Sequence, residues 1–365
     1  MYFFQKSYFR IIKLNYLVYL SVFLIGCTSN DQKSQTTDKI VREYFSQANL
    51  PGLSISVAKK GEIVFSKGYG YANVEKKIII NPSKTKFRIG SVSKTFAASG
   101  IAILIEKELL DINEDIYTYA PNFPLKKWKF NTKQLAGHLS GIRHYKSDEM
   151  LIDKNYDSVY DALEIFDQDK LLHEPGSKYH YSTHAWTLIS LIIENTSNSE
   201  FLSFMNNEVF GPLQMKNTQA ELTDTKLENL VTFYQYGLLK KKFKPAPTVN
   251  NSWKWAGGGF ISTTEDVIRF LEAHTKPGYF KKSTLDLLMT SQKTSSGKET
   301  NYGLGWRIRE GRNGDVLYGH TGGSVGGTTY AFWNKRTDTI VVITSNIGSA
   351  KFGELPLDIF DVYRN

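Results

Sequence analysis

Apolar positions near the two ends of the chain follow strand-like patterns, and those between them follow helical ones. Residues 53–59 form an apolar, β-branched run. Lys60-Gly61-Glu62 is a turn, and residues 63–68 run back, so a hairpin is predicted. Toward the other end, residues 304–309, 316–320, 328–333 and 339–345 alternate or are solidly apolar, with turn residues between them, and predict four strands. Ile40, Val41, Tyr44 and Phe45 recur at helical spacing over 37–49, before Pro51-Gly52 stops the helix. A second helix opens at Ser91, with an apolar face of Phe96, Ile101, Ala102, Leu104 and Ile105. Helical periods return at 160–166, 185–195 and 199–209 within a mainly helical stretch from 135 to about 239. Ser262-Thr263-Thr264-Glu265 reads as a capping box that starts a helix over 267–274, and 351–363 reads as a closing helix. The pattern predicts an α/β (α+β) fold. An antiparallel sheet built from both chain ends (about 39–105 and 245–365) is flanked by helices, with a helical subdomain (about 106–244) inserted between its halves.

The first residues read differently. Lys6, Arg10 and Lys13 precede an apolar stretch over 16–25 that is short for a membrane span. It ends in Leu24-Ile25-Gly26-Cys27, which resembles the bacterial lipobox. The expectation is a signal peptide over 1–26, lipidation at Cys27, a flexible polar tether over 27–38, and a domain over 39–365. Such a protein would be a membrane-anchored lipoprotein of the cell envelope, on its periplasmic or surface side. Cys27 is the only cysteine, so the domain must be held by packing without a disulfide. Loss of residues 1–26 lowers the formal charge from +9 to +6. That excess suits an anionic surface or substrate. The basic residues are scattered and no nucleic-acid motif accompanies them, so nucleic acid is not an expected partner.

Three short motifs carry chemistry. Ser91-Val92-Ser93-Lys94 places a lysine three residues after a serine at a predicted helix start, on the same helix face. A serine hydroxyl needs such a base to become a nucleophile, although the same tetrapeptide also serves as a plain N-cap. Tyr181-Ser182-Thr183 follows Pro175-Gly176 and offers a phenol that could shuttle a proton. His320-Thr321-Gly322-Gly323 ends a strand with a cation, a hydroxyl and two glycines that admit a substrate backbone. His180 and His184 are four apart, but the glutamate of a zinc helix is missing, so no metal is expected. His138 with Ser140-Gly141 reads as a turn near the cleft, and 257–259 as a close backbone turn under the sheet.

Each motif is common alone. Their order resembles the class C β-lactamase and D-alanyl-D-alanine carboxypeptidase group of the serine β-lactamase and penicillin-binding-protein superfamily. The similarity extends to Phe87-Arg88-Ile89-Gly90, His138-Leu139-Ser140-Gly141, Ala256-Gly257-Gly258-Gly259 and Tyr302-Gly303-Leu304-Gly305-Trp306. His138 to Tyr145 and Asn251 to Gly259 look most like the mitochondrial serine β-lactamase-like branch of animals. The resemblance implies a β-lactamase/transpeptidase-like fold and a serine hydrolase that needs no cofactor. Ser91 would be acylated, with Lys94 or Tyr181 as base. The backbone N–H groups of Ser91 and Gly323 would form the oxyanion hole, and Thr183, His320, Thr321 and Gly322 would bind substrate. Thr183 stands where β-lactamases carry Asn, and His320 where many members carry Lys. Both put efficient β-lactam hydrolysis in doubt and fit the peptidase- or esterase-like branch, and the expected activity is a peptidase or amidase on peptide-like or small acyl substrates, including peptidoglycan-derived material. A β-lactamase or esterase is the alternative, and a non-catalytic assembling lipoprotein a further one. With His320 as the carboxylate anchor, affinity should fall as pH rises through its titration.

Overall fold

Two adjacent strands, one from each end of the chain, form the middle of the fold. The computed structural model describes residues 31–237 and 242–365, so Cys27 and the signal-peptide reading lie outside the described residues. In β1 (Gly52–Lys59) and β12 (Thr339–Ser345) almost every residue is buried, because both faces of the sheet are covered. They pair antiparallel, with Ile55 opposite Ile343. The seven-stranded sheet runs β3 (Ile78–Ile79), β2 (Glu62–Asn73), β1, β12, β11 (Gly327–Asn334), β10 (Val316–Ser324), β9 (Arg307–Glu310). Every pairing is antiparallel. The sheet predicted from both chain ends is therefore present.

Side-chain alternation sorts the two cores. Ile55, Val57, Val341 and Ile343 point to one face, against α1 (31–48) and α8 (Leu355–Val362). Ile340, Val342 and Ala331 point to the other, against α2 (Ser93–Glu106) and α6 (Thr264–Glu272). Ser54 and Ser56 also face that side, where their hydroxyls meet Thr264 Oγ1 at 3.0 and 2.8 Å and dock the start of α6. A small sheet of β4 (Phe87–Arg88), β8 (Phe260–Ser262) and β5 (Gln219–Ala220) lies beneath the first turn of α2, and β6 (Tyr234–Tyr236) pairs with β7 (Phe243–Pro245). The remaining helices are α3 (Thr132–Ala136), α4 (His184–Ser197), α5 (Phe201–Phe204) and α7 (Lys282–Met289).

Several local expectations need correction. Residues 31–38, read as tether, are the first turns of α1. Thr37 is buried against the Tyr363 hydroxyl, and Asp38 accepts from Tyr69 and Lys67 at 2.6 and 2.9 Å. The polar composition there belongs to a helix whose polar groups find partners on the domain. The span 138–180 is largely irregular, with 3-10 turns only at Glu149–Leu151 and Asp161–Ile165. His138 and Gly141 take positive φ and stop α3 from continuing. The cap of α6 is Thr263, whose side chain accepts from the Asp266 N–H, while Ser262 completes β8. The helix predicted over 199–209 is α5 followed by a wider π-type turn, Met205–Phe210.

Candidate active site

Ser91 lies in a 3-10 turn, Gly90–Val92, between β4 and α2. The turn is pressed against β10. A Cβ on Gly90, at φ +52°, would stand 2.7–2.9 Å from the Gly323 backbone, and one on Gly322 only 1.8 Å from the Ile89 carbonyl. These glycines permit the close approach that brings the β10 backbone to Ser91. β9 pairs with β10 only as far as Gly319, and a Cβ on Gly323 would meet nothing within 4 Å. Gly323 is thus open beside Ser91, and Thr321 is half-buried next to it.

Lys94, one turn along, is fully buried. Its Nζ is 3.1 Å from Ser91 Oγ, 3.2 Å from Thr183 Oγ1 and 2.5 Å from the Gly257 carbonyl. Burial, and then the charges of Arg307 and Lys254, push its pKa well below the usual lysine range. A free amine in this position would donate to Gly257 and Thr183 and turn its lone pair to the Ser91 hydroxyl. The 257–259 turn is therefore not simply under the sheet. It supplies a Lys94 acceptor, and Gly257 packs so tightly on Thr183 that a Cβ would lie 2.4 Å from its Cγ2.

Tyr181 precedes α4, and its hydroxyl faces Ser91, which acts to lower its pKa. Burial raises its pKa, only partly offset by Ser91 and the charge of Arg307, so the phenol keeps its proton at neutral pH. Its ring lies 4.3 Å from the His138 ring and 4.9 Å from Lys94 Nζ. His138, in the left-handed region, accepts the Ser182 N–H at 3.1 Å and so fixes the turn that presents Tyr181.

The structure corrects the reading of His320. Its ring is buried, with Nδ1 2.5 Å from the Thr321 carbonyl and Nε2 3.0 Å from the Tyr302 hydroxyl. Nδ1 must donate to that carbonyl, so Nε2 accepts from Tyr302 and both nitrogens are occupied. Burial, with the charges of Arg307 and Lys94, pushes its pKa well below the usual histidine range. His320 is neutral and cannot anchor a carboxylate by charge. The cation at this position is Arg307, which the sequence motifs passed over. Its guanidinium sits 5.1 Å from the Tyr181 ring and 5.8 Å from the Tyr302 ring, and its buried Nε has no hydrogen-bond partner. The signal was present: Arg307 follows Trp306 of the glycine motif and opens β9 beside β10.

Two other residues went unread. The Tyr145 hydroxyl bonds Thr183, which leaves the Thr183 hydroxyl shared between Lys94 and Tyr145. Lys254 lies buried behind Tyr145. His180 and His184 do not form a pair, since His184 Nε2 meets Glu149 and Arg143 at 2.9 and 3.0 Å.

A helix-start serine with a desolvated lysine on its hydroxyl, set beside an open strand edge, defines a serine hydrolase site of the β-lactamase type. A family model described as Beta-lactamase matches residues 37–362, and the chain belongs to that family. The human mitochondrial serine beta-lactamase-like protein LACTB is 28% identical over 392 residues, spanning 81% of this chain and 71% of its own length. The octameric penicillin-binding protein homologue from Pyrococcus abyssi superposes with a TM-score of 0.76 at 23% identity, over 90% of this chain and 76% of its own. A D-stereospecific amidohydrolase from Streptomyces sp. superposes with a TM-score of 0.73 at 19% identity, over 91% and 98%. These structural likenesses agree with the sheet and the helices around it.

Proposed function

We propose that this hydrolase is an amidase or peptidase that works through an acyl-enzyme on Ser91, with Lys94 as base and Arg307 as the anchor for a substrate carboxylate. The observation that carries the reading is the 3.1 Å contact between Ser91 Oγ and a fully buried lysine whose surroundings push its pKa well below the usual lysine range. Ser91 Oγ attacks the substrate carbonyl carbon as its proton passes to Lys94 Nζ. The oxyanion faces the N–H groups of Ser91 and Gly323. As the C–N bond breaks, Tyr181 gives its proton to the departing amine and regains one from Lys94. Water then resolves the acyl-enzyme.

Thr183 supports an amidase over a β-lactamase. It has no side-chain amide for a substrate, and its hydroxyl is engaged by Lys94 and Tyr145. The structural likeness to an amidohydrolase agrees. The test is to compare kcat/KM for a D-amino-acid peptide, its amide and its thioester with that for nitrocefin. Faster turnover of the peptide-like substrates is expected. Faster turnover of nitrocefin would make the chain a β-lactamase, and no turnover or labelling of any kind would return it to the non-catalytic reading.

A further inference from the structure

The reaction above makes no use of Lys254, which is buried in the wall of the site. It ends the 3-10 turn Ser252–Lys254 and leads directly into the turn whose Gly257 carbonyl holds Lys94. Its ammonium lies 4.6 Å from the Trp253 ring and 5.6 Å from the Tyr145 ring. Thr183 Oγ1 accepts from Lys94, and Tyr145, whose ring faces Lys254, neighbours that same hydroxyl, so Tyr145 and Thr183 link the surroundings of the two lysines. Among the described residues no carboxylate lies within ion-pair distance of either. Glu221 is already taken by Arg88 at 2.6 and 2.7 Å and by Asn251 at 2.7 Å. Aromatic faces stabilise a cation by far less than the hydration a buried ammonium gives up. Lys94, Lys254 and Arg307 therefore form a cationic cluster without a counter-ion, in which protonation of one lysine opposes protonation of the other.

We propose that Lys254 is a positioning residue for acylation: it carries the charge that keeps Lys94 in the free-amine form that accepts the Ser91 proton. The inference rests on the acyl-enzyme reading above. Burial and the charge of Arg88 bring the Lys254 pKa down to about 7, with Glu221 acting the other way, while Lys94 is driven well below its usual range. As pH falls through about 7, Lys254 takes up its charge beside Lys94. The other titratable groups around Lys94 are His138, His144, His320 and Tyr181. The three histidines are held neutral chiefly by burial, and the phenol keeps its proton, so Arg307 and Lys254 are the charges that act on Lys94.

The test is the rate of Ser91 labelling of the full-length protein by a fluorophosphonate, followed by intact mass from acid to alkaline pH. Wild type is compared with Lys254→Gln, Lys254→Met and Lys254→Arg. On the acid side of pH 7, where Lys254 carries its charge, the neutral variants should label up to about tenfold more slowly than wild type, and above it they should match wild type, because their acid limb moves up, while the arginine variant keeps the wild-type limb or a lower one. An unmoved limb in the neutral variants would overturn the proposal. So would a uniform loss at every pH that Lys254→Arg shares, since that is the mark of a packing role. If the neutral variants do not fold, lysine methylene NMR on the wild type decides. Lys94 should respond in a second step as Lys254 titrates, and a Lys94 curve indifferent to Lys254 would overturn the proposal. Absence of wild-type labelling would count against the acyl-enzyme reading alone, and the NMR titration would still decide the coupling of the lysines.

Discussion

At Lys94 and Arg307 the surroundings, more than residue type, decide what each cation does. A lysine in water is protonated at neutral pH. Lys94 is dry, has no carboxylate partner among the described residues and is flanked by like charges, which suits it to the role of base in the proposed mechanism. A guanidinium is a permanent cation, and the buried Nε of Arg307 has no hydrogen-bond partner. Arg307→Ala should raise KM for a carboxylate-bearing substrate about tenfold or more with little change for a neutral ester, because a charge-assisted bidentate contact is lost. In wild type that KM should be flat through neutral pH, as an arginine anchor does not titrate there. A KM that rises with pH, and that His320→Gln makes flat, would restore the role to His320. Ser91, Lys94 and Tyr181 were legible in the sequence because their spacing is local to a helix start or a known order of motifs. The neutrality of His320 was not legible, since it comes from burial and from the charges of Arg307 and Lys94, which only the fold brings to its side. Neither was Lys254, whose meaning comes only from the residues packed around it.

Among the elements, the irregular segment after α3 shows how loops hold a site without regular structure. It carries His138, His144 and Tyr145, and it is pinned by Arg143. That guanidinium reaches Asp169 at 2.5 Å and Glu149 at 2.8 Å, and donates to the His144 and Ile165 carbonyls at 2.9 and 2.6 Å. Arg143→Ala would leave the Glu149 charge stranded and should cost about 3 kcal/mol, measured by denaturant unfolding. Burial raises the Glu149 pKa, but hydrogen bonds from His184 and Arg143 outweigh it and bring the value from 4.5 to about 2. Its contribution to stability is thus present above about pH 4.5 and is lost as pH falls toward about 2. Glu149→Gln should flatten acid unfolding over that window, and an unchanged acid profile would count against the assignment. Helical spacing suggested regular structure here. Buried polar side chains that bond backbone carbonyls offer the chain an alternative to a helix, which periodicity alone does not register.

For the whole molecule, β12 joins the two cores. Val342 belongs to the layer that holds the site, and Ile343 to the layer formed with α1 and α8. Ile343→Ala should cost about 2–5 kcal/mol. If the sheet couples the layers, Ile343→Ala and Val342→Ala will each lower a single shared thermal transition. Two transitions, only one of them moved by each substitution, would contradict a common unit. This architecture was readable because solidly apolar runs at both chain ends demand cover on both faces, and only strands from distant parts of the chain could supply it. The inserted segment was read as more helical than it is, and α7 was not foreseen.

The proposed chemistry turns on Ser91. Incubating wild type and Ser91→Ala with a peptide thioester, a β-lactam and a fluorophosphonate, followed by intact mass and peptide mapping, tests it most directly. One adduct per chain on the peptide bearing Ser91, absent from Ser91→Ala, is the predicted result. An adduct that persists in Ser91→Ala, or maps to another residue, would contradict it.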